Sequence, residues 1–429
     1  MKGDVLIDNS TYFCYYQRTT KKDGNMEEIK LIRWPRLVIG VITLLFAGII
    51  YAWSILNAPF ESVWDATQLG INYTLTVIFF CLGGFFSGLL SKKVSSTKRL
   101  MASGLLLFAG FFITSNLLGG GSVIWLYLAY GVLAGTGIGI AYNTVIGTVN
   151  AWFPDRQGLC SGVLLMGFGL SSLIIGQIAD MMGRSELIGW RSTYVIFAVS
   201  IGVVLLVASL FIKLPPEGMV FPESKDARKS KPPGSGGVDY AAPQMIRRAS
   251  FIKLFIFSML IAATGSAAIG FARDIVTEAG ASVRVAVATV GMLSVFNGVG
   301  RLVSGWLFDN IGKRKTQYVI ATVGIMGPAV VVLALITDSL ILSIIGVCLC
   351  GFAFGLGPTM SSVFVADFYG LKNFSLNFSI VNLLLIPAPF AATLAGFFKD
   401  STDSFIIAFT ILLALSIVGF FVNVSLRKA

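Results

Sequence analysis

Residues 283–315 read VRVAVATVGMLSVFNGVGRLVSGWLFDNIGKRK, an apolar run that ends in a cluster of charged residues. Arg301 lies inside this run, eight residues before Asp309. A helix rises about 1.5 Å per residue, so Arg301 is expected roughly 12 Å from the aspartate, near the middle of a hydrocarbon layer about 30 Å thick. Because a charge there is costly unless it faces a protein interior or a water-filled cavity, we interpret Arg301 as an anion-binding residue. The alternative is an arginine that pairs internally or extends toward the membrane surface.

The whole chain has the composition of a membrane protein. Hydrophobic residues make up 55% of it and charged residues 12%, and the mean hydropathy is +0.83. Apolar runs long enough to span a bilayer recur along nearly its full length. We therefore expect an all-α integral membrane protein. The net charge of +11 could suggest a nucleic-acid partner, but the placement of the charges argues against one.

Twelve transmembrane helices are predicted, in two six-helix bundles. The approximate spans are residues 36–57, 72–91, 99–118, 123–150, 158–181, 191–212, 251–272, 283–308, 316–336, 339–367, 374–398 and 404–425. The stretch between the halves is rich in Pro, Gly, Ser and Lys, as linkers are. The predicted domains are an N-terminal tail (1–33), a first bundle (34–212), a central linker (213–250) and a second bundle (251–429).

The positive charges predict the orientation. If the N-terminus is cytoplasmic, 26 of the 32 lysine and arginine residues fall on the cytoplasmic side. This asymmetry follows the positive-inside rule and places the tail, the linker and both termini in the cytoplasm of a cell-membrane protein. No cleavable signal peptide is visible, and translation could start at Met1 or at Met26.

The chemistry of catalysis and metal binding is missing from the sequence. There is no histidine, and the five cysteines include no CxxC pair, so neither a metal site nor a disulfide framework is expected. We also find no nucleophile–base pair and no phosphate-binding loop. The prediction is a protein that is not an enzyme, with no catalytic residue, metal or cofactor, and the chain is expected to be a monomer in the bilayer.

Two loops at matching places of the two halves carry related motifs. The segment after the eighth span, GWLFDNIGKRK (305–315), resembles the G-x-x-x-D-x-x-G-[RK]-[RK] signature of the major facilitator superfamily. Its signature residues are Gly305, Asp309, Gly312, Lys313 and Arg314. The segment after the second span, GLLSKKVSSTKR (88–99), keeps Gly88 and the basic end but has no aspartate. A glycine permits close helix approach, and an aspartate can accept hydrogen bonds from a helix N-terminus.

Further stretches narrow the resemblance. They are RWP (33–35), YAWSI (51–55), GTGIGIAYN (135–143), WFPDRQG (152–158), GFG (167–169), DYAAPQM (239–245) and NGVGR (297–301). Together they look like the oxalate:formate antiporter family of the major facilitator superfamily, with a weaker likeness to monocarboxylate transporters. The resemblance implies alternating access between two six-helix halves around a site near the membrane midplane.

The resemblance also implies a binding site. Members of this family hold a dicarboxylate with an arginine on the eighth span, matched by Arg301, and a lysine on the eleventh. The lysine is absent here, and Asn382 is the nearest polar residue. A dianion facing one arginine would leave one charge uncompensated, at a cost of several kcal/mol. This departure favours a small monocarboxylate such as lactate, pyruvate or formate.

Other residues are expected around the substrate because they resemble family positions or offer polar and aromatic side chains. With Arg301, the predicted substrate-binding residues are Tyr51, Asn72, Tyr73, Tyr142, Asn143, Asn297, Phe354 and Asn382. Ordinary packing is the alternative for each aromatic residue. Ser375, Ser379 and Asn382 share one helical face, which should meet protein or water, and Pro387 and Pro389 should bend the same helix.

The spans contain no acidic residue well inside them, and the chain has no histidine. The usual intramembrane proton-relay groups are therefore lacking, and exchange of one anion for another fits better than proton symport. The alternatives are a dicarboxylate exchanger, a proton-coupled monocarboxylate symporter, a facilitator for another solute such as a sugar, amino acid or drug, and an anion sensor that does not transport.

Overall fold

The computed structural model describes residues 32–64, 66–216, 219, 221 and 239–426, and the regular elements within these ranges are all helices. Twelve of the helices are long and apolar enough to cross a membrane, which confirms the predicted all-α fold with twelve transmembrane helices. Residues 1–31 of the predicted tail, the alternative start at Met26 and most of the predicted linker lie outside the described residues.

We number the membrane helices α1 to α12 in chain order. Their bounds are Ile32–Ala52, Gln68–Leu90, Ser96–Ser115, Val123–Asn150, Gln157–Gly183, Gly189–Phe211, Ala249–Glu278, Arg284–Ile311, Lys313–Ile336, Leu340–Tyr369, Phe374–Lys399 and Ile406–Val424. Most predicted spans lie within about four residues of these bounds at each end.

The first helix begins earlier than predicted because its arginines are satisfied by protein contacts. Arg33 forms an ion pair with Asp155 at 2.7 Å, and both side chains are almost fully buried. Arg36 lies over the ring of Trp152, 4.1 Å from its centroid. The RWP and WFPD motifs of the sequence therefore contact each other at the start of α1, and Pro35 is compatible with a first helical turn.

Two helices are interrupted. The predicted end of the seventh span, residue 272, coincides with a kink in α7 at Phe271, whose φ of −122° and ψ of 17° are not helical. Helix α11 is regular over Phe374–Asn382, passes through a 3₁₀ turn at Leu383–Leu385 and resumes at Phe390. The prolines at 387 and 389 lie in the gap, which confirms the predicted bend, because proline removes a backbone donor and clashes with the preceding turn.

Glycines bring α2 and α4 into close contact. A Cβ atom added to Gly135 would lie 2.8 Å from the carbonyl oxygen of Thr76, and one added to Gly139 would lie 2.0 Å from that of Phe80. The four-residue spacing of these glycines therefore serves helix packing, as small residues do in membrane proteins.

We expect Gly139→Ala to destabilise the protein, because the new methyl group would meet a backbone carbonyl that cannot move independently of α2. Overpacking costs roughly 1–3 kcal/mol and outweighs the gain of about 1 kcal/mol in helix propensity. Thermal unfolding in detergent measures the effect. Gly70→Ala on α2 is the control, since its Cβ would have no neighbour within 4 Å, and its melting temperature should not fall. Equal melting temperatures for the two variants would contradict this account of the packing.

The first six helices and the last six meet at one end of the bundle. At this end, which we call the basic end, lie the loops α2–α3, α4–α5, α8–α9 and α10–α11. Helix α5 packs against α8, and the start of α11 packs against α2 and α4. Asn150, Ser161 and Ser362 form a buried hydrogen-bonded cluster between α4, α5 and α10, with an Oγ–Oγ distance of 2.9 Å between the serines. The two sets of helices are therefore sealed together at the basic end.

Candidate functional site

A cavity lies between the two sets of six helices, and the space between atoms there, including space open to solvent, is about 500 Å³. Its wall includes residues from both sets, so it is formed only when they come together. The wall contains Tyr51, Phe80, Tyr142, Phe168, Ser258, Ile261, Ala262, Arg301, Phe354, Gly357, Pro358, Ser361, Asn382, Leu384 and Leu385. Most of these side chains are apolar or aromatic, with a few polar groups among them, which is the usual make-up of a small-molecule site.

Arg301 is the charged group of this wall and is only 1% exposed. Its Nη1 donates to the carbonyl oxygen of Leu165 at 2.9 Å, its Nε to Oδ1 of Asn297 at 3.3 Å, and its Nη2 to the hydroxyl of Tyr51 at 3.3 Å. These are neutral acceptors, and no carboxylate within the described ranges pairs with the guanidinium. Because an arginine has five N–H donors, two remain for a ligand, and the positive charge is uncompensated.

Gly169 makes room for the guanidinium. A Cβ atom at this position would lie 3.2 Å from both Cζ and Nε of Arg301. Helix α5 is irregular just beyond this point, where residues Ser172–Gly176 form a wider π-helical turn. The guanidinium therefore packs against the backbone of α5 and links the first six helices to the last six.

Five of the predicted substrate-binding residues lie on the cavity wall. They are Tyr51, Tyr142, Arg301, Phe354 and Asn382. The rings of Tyr51 and Tyr142 both pack edge-to-face on Phe168, at centroid distances of 5.5 and 4.9 Å. A sixth, Asn297, contacts Arg301 from one helical turn earlier on α8. Positive ring edges and phenolic donors suit an anionic guest.

Three of the predicted residues lie elsewhere. Asn143 donates to the carbonyl oxygen of Ser375 at 2.8 Å and so contributes to the seal between α4 and α11. Asn72 is fully buried on α2, close to Gly131 of α4, and Tyr73 is half-buried beside it. Neither lines the cavity. All three were predicted because they resemble family positions, and sequence spacing alone could not show which helix face turns toward the cavity.

The motif after α8 is part of the basic-end seal. Asp309 accepts hydrogen bonds from the backbone N–H groups of Gly158 and Leu159, at 3.1 and 2.7 Å, where α5 begins. This is the helix N-terminal capping expected for the aspartate. Gly305 faces Gly158 so closely that a Cβ atom on Gly305 would lie 2.1 Å from the carbonyl oxygen of Gly158.

The other motif residues also lie at the basic end. Lys313 forms an ion pair with Asp367 of α10, Gly312 has a positive φ of 81° between α8 and α9, and Arg314 is exposed. A Cβ atom on Gly88 would lie 2.5 Å from the hydroxyl oxygen of Ser379. The matching motifs of the two halves therefore occupy two contacts between the halves, α5 with α8 and α2 with α11.

Sequence reasoning missed several wall residues. Phe168 belongs to a motif that the sequence singled out only as a resemblance, and the serines at 258 and 361 carried no signal because single serines are common in apolar helices. Phe80 was missed because a phenylalanine in an apolar membrane span gives no sign of whether it faces a cavity. An aromatic residue beside a glycine pair was the one feature that could have drawn attention to Phe168.

The chain matches the Major Facilitator Superfamily over residues 36–388. It is 28% identical to the uncharacterized MFS-type transporter YhjX of Escherichia coli (strain K12), over 82% of this chain and 84% of that one. It is 24% identical to the oxalate:formate antiporter of Oxalobacter formigenes, over 90% and 91% of the two chains. Human monocarboxylate transporter 12 is also 24% identical, over 74% of this chain and 65% of that one.

Solved structures share the fold. The proton:xylose symporter XylE aligns with a TM-score of 0.71 at 14% identity, covering 91% of this chain and 95% of that one. The fucose:proton symporter FucP of E. coli aligns with a TM-score of 0.68 at 14% identity, covering 93% and 100%. With twelve membrane helices, a central cavity and a family match over most of its length, the chain is a multi-pass membrane transporter that belongs to the Major Facilitator Superfamily and is not an enzyme.

Proposed function

We propose that this transporter exchanges small organic monocarboxylates, such as lactate, pyruvate or formate, across the cell membrane. The observation that carries the proposal is the buried guanidinium of Arg301 on the cavity wall, which has neutral partners and no carboxylate. A buried charge without a counter-charge is costly, and an anion in the cavity would balance it. Two curated relatives support an organic anion, since one is named an oxalate:formate antiporter and the other a monocarboxylate transporter.

The charge of the wall favours a monoanion. Arg301 is its one cationic residue, and Asn382 occupies the wall on α11, where the resemblance implies a lysine in dicarboxylate carriers. One arginine balances one carboxylate. A dianion would bring a second negative charge into a site with mostly aromatic and aliphatic walls, at a cost of several kcal/mol.

The wall also favours exchange over proton symport. It contains no Asp, Glu or His, so the groups that usually carry a proton through a membrane protein are absent from the lining residues. The hydrogen bonds from Arg301 to Leu165 and Tyr51 join the two sets of helices. A substrate carboxylate would compete for those donors, so reorientation is expected mainly with a bound anion.

The arrangement of contacts supports alternating access. We infer from the positive charges that the basic end lies in the cytoplasm together with both termini. This end is sealed by the contacts of α5 with α8 and of α11 with α2 and α4. Reorientation would break this seal and bring the opposite ends of the helices together around the anion. Bistable interfaces of this kind are the structural basis of rocking transport mechanisms.

The test is uptake of radiolabelled lactate, pyruvate, formate and oxalate into proteoliposomes that contain the full chain, with and without the same anion inside. We expect at least one monocarboxylate to enter, and to enter several-fold faster when the vesicles are preloaded. Oxalate as the best substrate would contradict the charge argument. Uptake driven by a pH gradient without preload would indicate proton symport, and binding without flux would indicate a sensor. If none of the four anions binds or enters, the proposed function is wrong.

A further inference from the structure

Besides Arg301, the cavity wall contains a second group of polar residues. Ser258 of α7 and Ser361 of α10 both line the cavity, and their hydroxyl oxygens are 3.2 Å apart. Both residues are almost fully buried, at 3% and 2% exposure. A hydroxyl offers one donor and two acceptor sites, so when one serine donates to the other, the pair keeps one donor and several acceptor sites unused.

Asn382 of α11 adds an amide to the same wall. Its side chain makes no hydrogen bond among the described residues, although the residue is only 9% exposed. The thiol of Cys81 donates to the backbone carbonyl oxygen of Asn382, at 3.7 Å, and not to the side-chain amide. A carboxamide has two donors and an acceptor oxygen, and such groups are rarely left unpaired in a protein interior. Those of Asn382 are available to a molecule in the cavity.

These polar groups lie in the same region of the helix bundle as Arg301. The hydroxyl of Thr359, two residues before Ser361, donates to the carbonyl oxygen of Arg301 at 3.0 Å, so this part of α10 packs against α8 at the arginine. The rest of the lining is largely aromatic or aliphatic, with Phe80, Phe168 and Phe354 among it. A small anion whose carboxylate lies at Arg301 therefore finds its other polar contacts mainly at the two tyrosines, the serine pair and the amide of Asn382.

We propose that Ser258, Ser361 and Asn382 form a subsite for an uncharged oxygen on the carbon next to the substrate carboxylate. The transporter would then prefer 2-hydroxy and 2-oxo monocarboxylates to unsubstituted ones. Hydroxyl and amide groups both donate and accept, so the subsite can bind an alcohol or a ketone. A site built to hydrogen-bond a substrate oxygen rejects the analogue that lacks it, because its own polar groups then stay unpaired. This inference rests on the proposed function, since it takes the carboxylate to lie at Arg301.

The test is competition in the same proteoliposomes, with exchange of labelled lactate inhibited by unlabelled lactate, pyruvate and propionate. These acids share a three-carbon skeleton and one carboxylate, and propionate lacks the oxygen on the second carbon. We expect lactate and pyruvate to inhibit at concentrations roughly 10-fold or more below propionate, an ordinary effect for one or two lost hydrogen bonds. Equal inhibition by propionate would overturn the subsite.

Substitutions test whether the serine pair and Asn382 cause the preference for lactate over propionate. Ser361→Ala and Ser258→Ala should weaken inhibition by lactate several-fold and leave inhibition by propionate unchanged. Ser343→Ala is the matched control, because Ser343 is a buried serine on the same helix α10 outside the cavity wall. If the serine variants do not give a monodisperse protein, Asn382→Leu tests the same subsite from α11. A variant that weakens both acids equally would show a role in structure and not in recognition.

The outcomes separate this inference from the proposed function. If lactate and propionate exchange equally well and both require Arg301, the monocarboxylate exchanger stands and the subsite is wrong. If no monocarboxylate binds or moves in the wild-type protein, the proposed function itself is wrong, and the subsite falls with it.

Discussion

Arg301→Gln is expected to abolish anion exchange, with a loss of roughly 100-fold or more in the rate at low substrate concentration. The substitution removes the positive charge of the cavity wall and the two N–H donors that its present partners leave unused. Removing one member of a buried charge pair costs about 2–5 kcal/mol in binding, and each 1.4 kcal/mol is a factor of ten. Exchange of labelled monocarboxylate in proteoliposomes measures the loss.

A stability measurement distinguishes this role from a structural one. Arg301 is buried, and no carboxylate of the described residues pairs with it, so in the absence of added anion its replacement by a neutral residue should leave the melting temperature unchanged or raise it. Arg284→Gln is the matched control, since Arg284 is an exposed arginine at the start of the same helix α8, and its variant should exchange normally. An Arg301→Gln protein that exchanges at the wild-type rate would rule out the arginine as the anion's charge partner. A folded but inactive Arg284→Gln protein would show that the assay responds to any lost arginine.

Gly305→Val is expected to stop transport by a different route, through loss of the sealed state at the basic end. Even a Cβ atom at this position would lie 2.1 Å from the carbonyl oxygen of Gly158, so α5 and α8 cannot approach as they do here. Neighbouring backbone cannot yield locally to such a contact, but the two sets of helices can separate. The variant should therefore remain folded and populate the state that is open at the basic end.

Distances between spin labels on exposed Lys93, in the α2–α3 loop, and exposed Lys315, in the first turn of α9, would report this change. We expect the distance to shift to larger values in Gly305→Val and exchange to fall by roughly 10-fold or more, since a transporter must visit both states. Gly291→Val on the same helix is the control, because a Cβ atom there has no neighbour within 4 Å. An unchanged distance distribution with normal exchange would show that the glycine contact is not needed for closure.

The predictions that depend on local composition agree with the structure. The twelve spans were visible because each apolar run must match the thickness of the bilayer. The proline-induced break in α11 was visible because proline cannot continue a helix. Errors arose at the ends, as at Arg33, which lies within α1 but before the predicted first span. Arg33 is buried because it pairs with Asp155, which is 122 residues away in the chain.

One face of α11 shows what helical periodicity can predict and what it cannot. Ser375, Ser379 and Asn382 share one side of the helix, and the prediction that this side meets protein or water is correct. The first two contact Gly147 and Gly88 in the seal, whereas Asn382 lies on the cavity wall. The spacing could not separate these roles, because they depend on how far along α11 the first six helices remain in contact.

The sequence by itself determined the class of protein, the number of membrane helices and the unusual position of Arg301, because each follows from the cost of placing polar groups in hydrocarbon. Only the tertiary structure decided which groups share the cavity with that arginine. Its partners Leu165 and Tyr51 are 136 and 250 positions away in the chain. Such contacts depend on the rotation of each helix about its axis. Packing at glycines and at the seal between the two halves sets this rotation, and no short stretch of sequence indicates it.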